Sequence, residues 1–124
     1  MIYSESGYKV KYYRDFGSGK SQVYQFIMAL PIKDRAKVMK YIEVLRQSGG
    51  VLDEPLSRHI IGKIRELRVD FGRNRYRVFY FTFVNQNIIL LHAFIKRTQT
   101  TPMQEINKAE TAYNNVLSNK EIYE

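Results

Sequence analysis

Apolar and polar side chains alternate with a period of two over residues 8 to 14, Tyr-Lys-Val-Lys-Tyr-Tyr-Arg, which sets Tyr8, Val10 and Tyr12 against Lys9 and Lys11. That is the period of a half-buried strand, and it predicts a first strand near a sheet edge. Asp15-Phe-Gly-Ser-Gly19 breaks it. Ser21 then caps a short helix in which Val23, Phe26, Ile27 and Leu30 recur at helical spacing. Pro31 separates it from a second helix over Ile32 to Ser48, with Val38, Met39, Ile42 and Leu45 inward and Lys33, Arg35, Lys37 and Lys40 outward. Gly49-Gly50 supplies its stop. Residues 51 to 62 contain Asp53, Glu54, Pro55 and Gly62 without a period and read as a loop, in which His59 has no partner at ligand spacing.

From Glu66 to Phe81 the pattern predicts two apolar strands joined by a tight turn and loaded with Arg68, Arg73, Arg75 and Arg77. A two-residue turn at Arg73-Asn74 pairs Gly72 with Arg75, Asp70 with Arg77 and Arg68 with Phe79, and puts Arg68, Arg75 and Arg77 on one face. A three-residue turn, Gly72 to Asn74, sends Arg68 to the face opposite Arg77. The first is favoured because it collects Leu67, Val69 and Phe71 with Tyr76, Val78 and Tyr80 on the other face. Asn85-Gln-Asn87 marks a second turn. Ile88 to Ile95 is apolar on both faces, as in a central strand, with Ile88, Leu90, His92 and Phe94 in one row.

Thr101-Pro102-Met-Gln104 is a capping signature, with Thr101 as N-cap, Pro102 at the first helical position and Gln104 closing the box. The helix it opens runs to about Asn119 on a stripe of Ile106, Ala109, Tyr113 and Val116. Strand, helix, helix, three strands and helix predict an α+β fold, with a mostly antiparallel sheet of about four strands, two N-terminal helices, a C-terminal helix, and the helices mainly on one face.

The 124 residues suffice for a single domain, 1–124, around one core. The absence of cysteine excludes disulfide and thiolate chemistry and fits a reducing compartment. Met-Ile-Tyr-Ser-Glu-Ser-Gly7 lacks the basic start and apolar run of a leader, and no segment reaches membrane-spanning length, so a soluble cytoplasmic protein with no membrane partner is expected. The net charge of +8 is concentrated. Residues 58 to 97 hold nine basic side chains (Arg58, Lys63, Arg65, Arg68, Arg73, Arg75, Arg77, Lys96, Arg97) against Glu66 and Asp70, which is +7 of the total. Interspersed signs would suit solubility alone; one-sided charge favours an anion-binding surface.

Chemistry is narrowed by what is missing. There is no His-x-x-x-His, no acidic cluster, no Gly-x-Ser-x-Gly elbow and no nucleotide-binding glycine motif. Metal-free handling of a phosphodiester remains, a chemistry RNA permits because its own 2′-OH attacks the adjacent phosphate once guanidinium groups stabilise the charge. Arg77 and Lys96 are expected on the rim of the sheet, where truncation to Ala would leave folding intact. His92, on an apolar strand, is more often a core residue than a proton-transfer group; as a catalyst it would act as a base, because neighbouring arginines disfavour its protonated form.

Glu66-Leu-Arg68, Tyr76-Arg-Val-Phe-Tyr-Phe81, Leu90-Leu-His-Ala-Phe-Ile-Lys-Arg-Thr98 and Thr101-Pro102, with Tyr12-Tyr-Arg-Asp15 and Leu30 to Ala36 upstream, together resemble the phage-derived branch of HigB-like toxins in the RelE/ParE superfamily. The resemblance implies a RelE-like fold, cleavage of mRNA in the ribosomal A site without metal or other cofactor, and a HigA-like helix-turn-helix antitoxin partner. It assigns Arg68, Arg77, His92, Lys96 and Arg97 to the catalytic site, while Lys63, Arg65, Arg73 and Arg75 are candidates for RNA binding. Tyr113 and Tyr123 do not match the catalytic tyrosine of RelE. Two other readings use the same charge: a ParE-like topoisomerase-poisoning toxin, and a nonenzymatic nucleic-acid-binding module.

Overall fold

A computed structural model describes residues 7–124, so the leader reading of Met1 to Ser6 lies outside the described residues. The elements are β1 (Lys9–Tyr12), α1 (Gln22–Met28), α2 (Ile32–Gln47), β2 (Ser57–Ile61), β3 (Ile64–Phe71), β4 (Asn74–Phe83), β5 (Asn87–Ile95), α3 (Met103–Ser118) and α4 (Lys120–Tyr123). The α+β class stands, with a five-stranded sheet in the order β1-β5-β4-β3-β2. Three pairings are antiparallel, and β1 runs parallel to β5, with Lys9 opposite Asn87. The sheet is therefore mixed, and it has one strand more than expected.

The additional strand is β2, which falls in the stretch read as loop. It is an edge strand whose Arg58, His59 and Ile61 are exposed and whose Ser57 alone is buried, so it carries no apolar alternation. Backbone pairing to β3 holds it, through a two-residue turn at Gly62-Lys63 in which Gly62 has a φ of 54°.

The β3–β4 turn uses the same device. Gly72-Arg73, not Arg73-Asn74, forms the turn, with Phe71 opposite Asn74 and Gly72 at a φ of 62°. A two-residue hairpin turn with positive φ at its first position selects glycine there. Arg68 consequently faces Arg77, and Asp70 faces Arg75. The pairs differ from both expected registers. The favoured face assignment survives, because a slip of two residues preserves which side each residue occupies.

Helices cover both faces of the sheet instead of mainly one. α1 and α2 bury Val23, Ile27, Val38, Ile42 and Leu45 against Leu67, Val69, Tyr76, Val78 and Leu90. Met39, expected inward, is exposed. α3 and α4 bury Ala109, Ala112, Val116 and Tyr123 against Phe79, Phe81, Ile89, Leu91 and Phe94. Two apolar cores therefore sandwich the sheet. A register shift in the β4–β5 ladder, where Tyr80 pairs Leu90 but Phe79 pairs His92, makes Leu91 an extra residue on β5. Such a bulge changes the parity of the strand. The expected row of Ile88, Leu90, His92 and Phe94 is split: the first two face α1 and α2, while His92 and Phe94 face α3.

Ser21 caps α1 as expected, its Oγ accepting from the Tyr24 amide at 3.1 Å. The capping box at α3 does not form. Pro102 takes the N-cap position without a side-chain bond, because the Thr101 hydroxyl is turned toward Glu66.

Candidate functional site

The α3-facing side of the sheet carries a ladder of charge at the end formed by the start of β2, the middle of β3 and the end of β5. Across β2, β3, β4 and β5, Arg58, Glu66, Phe79 and His92 stand opposite one another in one row. The next row is Arg68, Arg77 and Phe94. Beyond it lie Asp70 and Arg75, and the Lys96 amide extends the ladder by donating to the Arg75 carbonyl at 2.8 Å. Like charges directly opposite on one face repel. Arg68 and Arg77 therefore share a position that only counter-charge makes tolerable.

Part of that counter-charge comes from Asp70 and Glu66. Arg77 Nη1 donates to Asp70 Oδ1 at 2.8 Å and to the Tyr76 carbonyl at 2.9 Å, while its Nε is buried without a partner among the described residues. Arg77 is 1% exposed and Asp70 65%. Glu66 is fully buried; its Oε2 accepts from Thr101 Oγ1 at 3.3 Å, and its Oε1 lies 3.8 Å from Arg68 Nε with no hydrogen bond.

Lys96 completes the group at 5% exposure. Among the described residues nothing hydrogen-bonds its ammonium. Burial lowers its pKa from the usual lysine value; Glu66 opposes that, and Arg77, Arg68 and Arg58 add to it. A shallow cleft of about 280 Å³ opens beside Lys96, walled by Arg58 and Ile60 on β2, by Gln99 and Thr101 in the β5–α3 linker, and by Ile106 on α3. Arg77 and Lys96 are thus buried and not on the rim. The linker folds back over the sheet, with Thr101 fastened to Glu66, and covers the end that the isolated strands leave open.

His92 sits on the same face but in a different setting. Its ring packs against both Phe79 and Phe94, at centroid distances of 6.5 and 6.0 Å, and its Nε2 lies 2.5 Å from Glu105 Oε1 on α3. Burial pulls its pKa down, Glu105 works against that, and Lys108 reinforces it. The neutral form is favoured, as the sequence reading expects, but the cause is burial and not the arginines. With the Nε2 proton given to Glu105, the lone pair falls on Nδ1.

The remaining candidates do not converge. Arg75 shares the face of Arg68 and Arg77. Arg97 is exposed beyond the end of β5. Arg65 lies on the opposite face, where its Nε donates to Ser57 Oγ at 3.0 Å and its Nη2 to the Leu52 carbonyl at 3.4 Å. Lys63 and Arg73 occupy the turns at the two ends of β3, about 25 Å apart along an eight-residue strand. Arg58, Thr101 and Glu105 are not among the residues the sequence singles out for the site, and Glu66 counts there only against the nine basic side chains. Arg58 was hidden by the unrecognised edge strand. Thr101 and Glu105 were absorbed into a helix-start signature that gave no hint of the sheet beneath it.

This arrangement can hold an anion. The Lys96 ammonium, free of hydrogen bonds, and Arg58 line one cleft, with the partly exposed Arg68 guanidinium in the neighbouring row and the buried charge of Arg77 beside it. Among the described residues no group of three or more His, Asp or Glu is placed to hold a metal ion, and no helix is long and apolar enough to cross a membrane. None of the curated proteins matches the chain. The family described as Phage derived protein Gp49-like (DUF891) matches residues 25–114, which take in α2, β2 to β5 and most of α3 with every charged residue of the ladder. The chain belongs to this Gp49-like family, a member of the RelE/ParE-like toxin superfamily.

Proposed function

We propose that the chain is a single toxin domain of a type II toxin–antitoxin system, a HigB-like endoribonuclease that cuts ribosome-bound mRNA in the cytoplasm without a metal ion and is neutralised by a HigA-like helix-turn-helix antitoxin. The observation that carries this reading is the Lys96 ammonium, which ends a largely buried side chain, has no hydrogen-bond partner among the described residues, and lines a cleft with Arg58 near Arg68. An ammonium without a hydrogen-bond partner at a cleft is free to donate a charge-assisted bond to an anion, and the phosphodiester is the anion that RelE-type endoribonuclease toxins handle.

In the proposed reaction the strand lies along the cleft with its scissile phosphate between Arg68 and Lys96. The 2′-OH gives its proton to His92 Nδ1, its oxygen bonds to phosphorus, and the bond from phosphorus to the 5′-oxygen breaks. The extra negative charge of the pentacovalent transition state falls against Arg68, with Arg77 as fixed positive charge behind it. Lys96, whose proton is held less tightly than that of an exposed lysine, donates to the departing 5′-oxygen. His92 braces β5 against α3 through Glu105 and serves as the nearest neutral base on that face. Arg58, Arg75 and Arg97 guide the flanking backbone, Lys63 and Arg73 are reserved for phosphates farther along the strand, and Arg65, bonded to Ser57 and the Leu52 carbonyl on the other face, takes no part.

Induced expression in a bacterial host, followed by mapping of new RNA 5′ ends, tests the reading. The expected result is growth arrest with new ends inside coding regions, both abolished by Lys96→Met in a protein that still melts cooperatively. A DNA-damage response with intact message selects a topoisomerase poison instead. Salt-sensitive RNA binding without arrest selects a binding module.

A further inference from the structure

Glu66 is the one fully buried carboxylate among the described residues, and it lies inside the most cationic part of the protein. The row and ladder positions place Arg58 on one side of it in β2 and Arg68 two residues along β3, and Thr101, which it holds, lines the same cleft as Lys96. Its hydrogen bonding is incomplete: one neutral donor, Thr101, serves Oε2, and Oε1 has only the 3.8 Å approach of Arg68 Nε. A carboxylate buried for structure alone collects enough donors to fill both oxygens. This one is held by field more than by contact, and removing a carboxylate from such a place leaves the cations around it uncompensated.

We propose that Glu66 is a positioning residue of the site just described: its carboxylate fastens the Thr101 linker over the cleft and is the buried counter-charge that keeps the Lys96 ammonium in place and protonated. The inference rests on the proposed RNA cleavage only for its consequence in catalysis; the charge relation between Glu66 and Lys96 stands apart from it. With no exposed surface, Glu66 does not itself meet the substrate. The charged groups acting on Lys96 are Glu66 and Arg68 from β3, Arg77 from β4 and Arg58 from β2, and Glu66 alone among them favours the cation. Without it, three guanidinium groups and burial act in the same direction. Lys96 then gives up its proton at a lower pH, and a donor for the 5′-oxygen is lost near neutrality.

The test is Glu66→Gln in the full chain, which keeps the shape and the Thr101 contact but removes the charge. The Lys96 ε-carbon is titrated by NMR on protein labelled at lysine, with Lys96→Met assigning the signal. The Lys96 midpoint is expected to fall by about one pH unit or more, which is a tenfold change in proton affinity. The alkaline limb of RNA cleavage should move down by the same amount. An unchanged Lys96 midpoint in folded Glu66→Gln overturns the proposal. Should that variant fail to fold, Glu66→Asp, which withdraws the charge by one methylene, is expected to lower the midpoint by a smaller step; no change there overturns it equally. If the wild-type protein cuts no RNA, the functional reading falls while the NMR titration still decides the role of Glu66.

Discussion

Arg77 is a full charge placed where an apolar side chain would normally sit, with one nitrogen engaged by Asp70 and the Tyr76 carbonyl and another unsatisfied. Truncation therefore opens a cavity and removes a cross-strand clamp. Arg77→Ala is expected to lower stability by about 2–5 kcal/mol in urea unfolding, and Arg77→Met, which refills the space, by less. Loss of toxicity in the alanine variant is then a folding effect, and only the methionine variant reports on charge. Tyr76, one residue earlier, points to the other face, where its hydroxyl donates to buried Asp34 and Asn74 Nδ2 adds a second donor at 3.3 Å. Burial first, and then the Asp34 bond, push the Tyr76 pKa up to about 12. The unfolded chain releases this proton near pH 10, so the contribution is complete below about pH 10 and is lost as pH rises toward 12. Tyr76→Phe should cost about 1–3 kcal/mol at neutral pH by leaving Asp34 with Asn74 alone. It should also flatten the loss of stability between pH 10 and 12, read as the difference between wild-type and variant urea curves.

The elements differ in how much of their placement is local. α1 and α2 follow from apolar spacing and from Ser21 and Gly49-Gly50, all within a few residues of the feature they control. The hairpin turns were present as Gly62-Lys63 and Gly72-Arg73, a glycine at the first of two positions, but Asn74 offered a competing turn residue and drew the register forward. Nothing touches a Cβ built at Gly72, so the requirement there is conformational alone. Gly72→Ala should cost about 1–2 kcal/mol and Gly72→Asn less, since asparagine enters the left-handed region more readily. Equal stability of all three in thermal unfolding would mean that the turn does not need positive φ. The bulge at Leu91 had no local signature. It exists because β5 serves both apolar cores, and the extra residue lets His92 join Phe79 and Phe94 under α3 while Ala93 packs toward α1 and α2.

At the scale of the molecule, the sandwich divides the basic residues of 58–97 between the two faces and the turns. Net charge alone does not distinguish them; position does. Arg68→Gln is expected to reduce the salt dependence of single-stranded RNA binding by about 0.7 in the slope of log K against log salt, the share of one phosphate contact. Arg65→Gln should leave the slope unchanged, because Arg65 is bonded to Ser57 and Leu52 on the other face. Equal slopes for wild type and Arg68→Gln would remove Arg68 from the RNA surface.

The sequence by itself determined α1, α2 and α3, the strand character of β1, β3, β4 and β5, and the concentration of charge, and it favoured without settling the common face of Arg68, Arg75 and Arg77. These follow from periods of two and of 3.6, which are properties of neighbouring residues and survive a register slip of two. Only the tertiary structure decided that β1 lies parallel to β5, that helices cover both faces, and that Arg77 and Lys96 are buried. Burial depends on which distant segment comes to lie on top. Here it is the linker carrying Thr101, laid over Glu66 from 35 positions away, that turns a row of strand cations into an enclosed, electrostatically coupled site.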